Sequence, residues 1–117
     1  MALKRRVHPD AQAELKEALA WHKERNPNSA ESLAAEIRKY RVDTAKNPDM
    51  WAIFPGWTGK PDVRSRKLPN FPYRIVYFSD GTHFNVIAYA HEKRAPLYWS
   101  GRVDYWDNLA KKLGGTT

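Results

Sequence analysis

Three patterns in this chain predict a small α+β domain. Apolar residues at helical spacing, punctuated by Pro and Asn, fill the first part of the sequence. A β-branched and aromatic hairpin around Asp80-Gly81 follows, and an amphipathic stretch closes the chain. The architecture expected is an N-terminal strand, an antiparallel helical hairpin packed on a small antiparallel sheet, and a short C-terminal helix. At 117 residues and 42% hydrophobic content the chain is long and apolar enough for one core, so residues 1–117 read as a single domain with about 100–117 as a C-terminal helical extension.

Leu3–His8 is the candidate first strand. Pro9 suits the first position of a helix, where its missing N–H has no partner to lose. Ala11, Leu15, Ala18, Leu19 and His22 then recur on one stripe until Asn26-Pro27 stops the run. A second helix is expected with Asn28 as its cap and Glu31 as the capping-box partner. Its stripe is Leu33, Ala34, Ile37, Arg41 and Thr44, with Tyr40 at the border, and Asn47-Pro48 ends it. The link is short enough to make an antiparallel helical hairpin. Residues 49–62 form a long loop whose Trp51, Phe54 and Trp57 are expected to pack against the domain, since bulky aromatics rarely stay in water.

Val63–Leu68 reads as a strand of ambiguous parity: Arg64, Arg66 and Leu68 share one face, Val63, Ser65 and Lys67 the other. Tyr73–Phe78 and His83–Tyr89 flank Asp80-Gly81, a strong two-residue turn signal. That turn would set Tyr77 against Phe84, Ile75 against Val86 and Tyr73 against Ala88, making one apolar face over Leu15, Leu19, Leu33 and Ile37. Arg74, Val76, Phe78, His83, Asn85, Ile87, Tyr89 and His91 would form the opposite face, half-solvated or available for binding. Ala95–Trp99 reads as a turn or short helix. Tyr105, Trp106, Leu109 and Leu113 mark the last helix, ending at Gly114-Gly115.

The formal net charge is +7, which favours polyanionic partners such as nucleic acid or an acidic protein surface. The chain has no cysteine, so neither a disulfide frame nor a thiolate site is available. No apolar run approaches the roughly 18 residues of a membrane span, and the N-terminus lacks a signal-peptide core, so a cytoplasmic location without membrane contact is expected. His8, His22, His83 and His91 are scattered, and no zinc-protease pattern, phosphate loop or nucleophile elbow occurs, so neither metal nor cofactor is expected.

What remains is a basic cluster: Arg64, Arg66, Lys67, Arg74, His91, Lys93, Arg94 and Tyr98. Guanidinium and ammonium groups hold phosphates and offset developing negative charge, and a histidine moves protons near neutral pH. Such a set could serve a metal-independent ribonuclease. It could equally brace the sheet and bind an acidic partner. Residue types favour bracing and binding, because basic surface clusters far outnumber active sites.

The run Pro72-Tyr73-Arg74-Ile75-Val76-Tyr77, followed by Val86-Ile87-Ala88 and His91-x-x-Arg94-x-Pro96-x-Tyr98-Trp99, resembles the RelE/ParE toxin superfamily of type II toxin–antitoxin, or plasmid stabilization, modules. The Pro9-Asp10-Ala11 helix start and the Val63–Leu68 strand extend the resemblance from Lys4 to about Arg102. It implies a microbial-ribonuclease-like α+β fold.

It also implies one of two activities. RelE-like members cleave mRNA on the ribosome, and ParE-like members inhibit DNA gyrase. Arg74 and Tyr98 match the RelE catalytic pattern, but Glu92 stands where a second arginine is expected, and Lys60 and Lys67 fit the lysine pair only loosely. The ending looks more like ParE, so the resemblance favours a gyrase-directed toxin neutralised by an acidic, partly disordered antitoxin that adds a helix or a strand. The alternative is a ribosome-dependent mRNA endonuclease with Arg74, His91 and Tyr98 catalytic; an inactive relic of either is the remaining case. For target or nucleic-acid binding the residues expected are Arg64, Arg66, Lys67, Arg74, Lys93, Arg94 and Trp99.

Overall fold

Proline and one asparagine set the helical hairpin. In the computed structural model, which describes residues 3–114, the first strand β1 (Lys4–Val7) runs directly into helix α1 (Pro9–Arg25). His8 caps α1: its Nδ1 accepts the Asp10 N–H at 3.0 Å. Burial lowers the His8 pKa, which keeps the ring neutral and its Nδ1 lone pair free for that bond. Helix α2 (Pro27–Lys46) begins one residue after α1's cap. Asn26 serves both helices, donating its N–H to the His22 carbonyl and accepting the Asn28 N–H on its side chain at 3.0 Å. The cap is therefore Asn26, and not Asn28 as the capping-box spacing suggests. Pro27 takes the first helical position, so the residue before it must be the cap.

Strands β2 (Arg64–Lys67), β3 (Tyr73–Ser79) and β4 (His83–His91) complete a four-stranded sheet in the order β1-β4-β3-β2. The β2–β3–β4 part is antiparallel as expected, and β1 joins β4 as a parallel edge strand. A final helix, α3, spans Tyr105–Leu113 and runs to Gly114; Gly115 lies outside the described residues. Among the described residues no helix is long and apolar enough to cross a membrane.

The hairpin register differs from the one Asp80-Gly81 predicts. Ser79 pairs with Phe84 and Tyr77 with Val86, leaving a longer connection. The cause is Asp80, whose Oδ1 accepts the Thr82 and His83 N–H groups at 3.0 and 2.7 Å, while Gly81 takes φ +91°. A side-chain turn thus replaces the two-residue backbone turn.

A second shift, between Val76 and Tyr77, leaves Ile87 as an extra residue in β4. Beyond it Val76 pairs with Ala88, Ile75 with Tyr89, Arg74 with Ala90 and Tyr73 with His91. Ala88 therefore moves to the second face, while Tyr89 and His91 move to the first, reversing the assignments made by simple alternation.

The first face packs under the helical hairpin. Ile75, Tyr77, Phe84, Val86 and Tyr89 are buried with Leu33, Ile37 and Leu68, and Leu15 and Leu19 close the margin. The second face is also covered, and is not half-solvated as expected. Val76, Phe78, Ile87, Ala88 and Ala90 meet Val63, Trp99 and Val103, with Phe54, Trp57 and Trp106 packed around them. The 49–62 loop does pack by its own side chains: Phe54 and Trp57 lie 5.1 and 5.6 Å, ring to ring, from Trp99. Strand β2 contributes to both faces, Leu68 following it into the first core and Val63 preceding it in the second.

Two predictions follow from this packing. Ile75→Ala empties a fully buried site between sheet and helices and should lower unfolding free energy by about 2–5 kcal/mol in urea titration. Val42→Ala, at a position 52% exposed, should shift it by no more than about 0.5 kcal/mol.

A further prediction concerns pH. Burial alone would raise the Asp80 carboxyl, but hydrogen bonds from the His83 and Thr82 backbone, the Thr82 hydroxyl and the Asn85 amide outweigh it and hold the pKa at about 2. The folded value lies below the unfolded one, so the carboxylate's contribution is complete above about pH 4 and is lost as pH falls towards 2. Denaturation midpoints across that window should fall less steeply for Asp80→Asn than for the parent chain.

Candidate functional site

Strand β1 ends before β4 does. Their pairing stops at Val7 with Val86, and His8 N–H closes the ladder on the Val86 carbonyl at 2.9 Å. The next outward groups of β4 are the Ile87 carbonyl and the Tyr89 N–H, and side chains satisfy both. Arg102 Nη1 donates to the Ile87 carbonyl at 2.9 Å, and Tyr89 N–H donates to Glu14 Oε1 at 3.1 Å.

Glu14 and Arg102 are themselves joined by two parallel bonds, Nη1 to Oε1 at 3.0 Å and Nη2 to Oε2 at 3.1 Å. Both side chains are nearly buried, 13% and 14% exposed. The Tyr98 hydroxyl donates to Glu14 Oε2 at 2.6 Å, and Arg94 lies over the Tyr98 ring at 3.9 Å. Burial and the bond to Glu14 raise the Tyr98 pKa far above its ordinary value, so this hydroxyl keeps its proton. The Arg102 pKa is also raised: burial opposes its charge, and Glu14 more than restores it.

Glu14 and Arg102 were not among the residues the sequence singled out. The available signal was position. Glu14 lies three residues after Ala11 and four before Ala18, on the stripe that α1 buries.

The basic cluster itself is dispersed. Arg64 donates to the Trp51 carbonyl at 2.7 Å and approaches Asp49 and Asp62. Arg66 is 13% exposed, pairs with Asp43 at 2.8 Å and stacks on Tyr40 and Trp51. Both hold the helix–loop side of the sheet together. Lys67 pairs with Glu92 at 3.0 Å. Trp99, expected at a contact surface, is 0% exposed and forms the centre of the second core.

Arg74 and His91 stand on opposite faces. Arg74 reaches Ser65 Oγ at 3.3 Å on the second face, beside a cleft of about 280 Å³ that His91, Glu92, Arg94 and Tyr98 also border. His91 lies edge-on to Tyr73 at 5.1 Å on the first face, and besides the cleft it shares with Arg74 it borders a second one of about 510 Å³ with Trp21, His22 and Arg94. Its Nδ1 accepts the Lys93 N–H at 3.0 Å. Lys93 and Arg94 remain on the surface between the clefts. Among the described residues no three His, Asp or Glu side chains gather where they could hold a metal ion.

A helical hairpin on one face of a four-stranded mixed sheet, with a basic surface and the Tyr-Arg-Ile-Val-Tyr central strand, defines the small α+β class of the RelE/ParE superfamily. Within it the chain belongs to the ParE toxin family: the family model for the ParE toxin of the type II toxin–antitoxin system parDE matches residues 5–96. Among solved structures the chain is similar to one described as the chromosomal ParDE TA system from P. aeruginosa, with a TM-score of 0.64 and 15% identity over 77% of this chain and 96% of that one. At that identity the likeness is one of fold. No curated protein matches the chain. Tyr98, Trp99, Arg102 and α3 all lie beyond the family match.

Glu14→Ala leaves the Arg102 guanidinium buried without its partner, and should cost about 3–5 kcal/mol in chemical denaturation. The double replacement Glu14→Leu with Arg102→Met removes both charges and should recover a large part of that loss. An equal loss in single and double variants would mean that the ion pair is not the stabilising feature.

Proposed function

We propose that this member of the ParE toxin family inhibits growth by binding DNA gyrase in the cytoplasm, and that a cognate acidic antitoxin neutralises it. The observation that carries the binding reading is that a group a metal-independent nuclease would need at one phosphate is committed elsewhere. Arg74, His91 and Tyr98 all border one cleft, but the Tyr98 hydroxyl is committed to Glu14 with its pKa raised. Glu92 places a carboxylate, paired with Lys67, where a second arginine would offset the transition-state charge. Losing one preorganised charge-stabilising donor typically costs about 10²–10³ in rate.

Binding makes weaker demands. Arg74, Lys93 and Arg94 need only reach the target's surface, and they flank the two clefts at the end of the sheet. Arg64 and Arg66 act indirectly, by fixing the loop and helix on which that surface rests. Trp99 contributes shape from inside.

Purified protein is expected to block gyrase supercoiling of a relaxed plasmid and to leave ribosome-bound mRNA uncut. Lys93→Glu with Arg94→Glu should weaken the block by roughly tenfold or more. Tyr98→Phe, which keeps the ring, should leave it within about threefold, because no proton transfer is involved. Codon-specific mRNA cleavage that Arg74→Ala abolishes, with supercoiling untouched, would establish the ribonuclease alternative instead.

A further inference from the structure

Among the described residues, His8 is the one buried side chain whose charge can change between about pH 5 and 8. It stands where three elements meet. Its N–H donates to the Val86 carbonyl at 2.9 Å, at the end of the β1–β4 ladder. Its carbonyl accepts the Gln12 N–H and its Nδ1 accepts the Asp10 N–H, each at 3.0 Å, which closes the first turn of α1. Its ring lies edge-on to Tyr105 at 4.5 Å and to Trp106 at 6.2 Å, the first two residues of α3.

Helix α3 has a light hold on the domain. None of its residues is buried, and none makes an ion pair among the described residues. Beyond His8, Trp106 meets Phe78 at 6.0 Å and lies under the Arg6 guanidinium at 4.9 Å. The helix also begins past residue 96, where the family match ends. Its release would leave both cores in place, so the change can stay local.

Only a neutral ring can make both sets of contacts. A protonated Nδ1 is a donor and would face the Asp10 N–H with no acceptor between them. The imidazolium would also lack hydration beneath Tyr105 and Trp106. Burial is the largest influence and lowers the His8 pKa; Asp10 and Glu14 on α1 pull it up, and Arg102 pushes it down. Glu14 is already held by Arg102 and Tyr98, and the exposed Asp10 lies 3.8 Å from Arg102 Nε. Of the other elements around the ring, β4 presents the Val86 carbonyl, α3 the Tyr105 phenol, and β1 the Arg6 cation beside Trp106. The folded pKa lies below the unfolded one, so docking at this corner is complete above about pH 6.5 and weakens as pH falls through the folded value. We propose that His8 is a pH-sensitive latch: proton uptake frees the first turn of α1 and undocks α3, while the sheet and the rest of the helical hairpin stay folded.

The test is NMR on the full chain between about pH 7.5 and 5. The His8 Cε1–H shift reports the proton, and amide exchange, corrected for its intrinsic pH dependence, reports each element. Protection in α3 should fall by roughly fivefold or more on the His8 titration, while α2 and β3 hold within about twofold. His8→Asn keeps a side-chain acceptor that takes no proton, so α3 protection should become flat across the range, whatever its level. In the parent chain, unchanged α3 protection while His8 titrates overturns the latch, as does a His8 ring that stays neutral throughout. A midpoint that follows His22, His83 or His91 instead, or a response that survives in His8→Asn, overturns it too. Parallel loss in α2 and β3 means global unfolding and has the same consequence.

Discussion

One carboxylate ties the three parts of this fold together. Glu14 on α1 accepts the Tyr89 N–H of β4, the Tyr98 hydroxyl and both arms of Arg102, and Arg102 in turn reaches the Ile87 carbonyl. Without these partners the upper half of β4 would carry an unpaired carbonyl and N–H beside the end of β1, a costly state for buried backbone. A buried ion pair is a weak source of net stability, since desolvation offsets much of its attraction. Its value here is specificity: it satisfies a broken strand edge, seats α1 against β4, and fixes where the chain after Ala95 must run.

That last effect explains how both faces of a small sheet are covered. The helical hairpin takes the first face. The second is closed by the 49–62 loop and by the segment that Arg102 holds, with Trp99 meeting Phe54 and Trp57 at its centre. The covering segment lies past residue 96, where the family match ends. In this chain it is part of the core and not an appendage.

The charges follow the same logic. A net charge of +7 invites the reading that the cations face a partner. Yet Arg6 holds Asp80 and Asn85 at the turn, Arg64 holds the loop, and Arg66 clamps α2 to β2 through Asp43 and the rings of Tyr40 and Trp51. Their planar guanidinium groups pack as flat surfaces while bonding at the edge. The cations left for recognition are the exposed ones without such partners among the described residues, Lys93 among them.

The sequence alone determined the elements. Pro9, Pro27 and Asn26 set the helices, because a missing N–H and a short side-chain acceptor act within a few residues. The two hairpin strands, read as 73–78 and 83–89, and the buried set of Ile75, Tyr77, Phe84 and Val86 were readable for the same local reason, as was their packing on Leu33 and Ile37. The family resemblance was carried by motif order along the chain. What only the tertiary structure decided was the face each later residue takes. The Asp80 side-chain turn and the extra residue at Ile87 each move the register, and a period of two converts one inserted residue into a reversal of every side chain beyond it. So Arg74 and His91, expected on one face, leave the sheet from opposite faces, although both border one cleft. Glu14 and Arg102, 88 residues apart, meet across it, because buried backbone groups on β4 needed partners that no local pattern could supply.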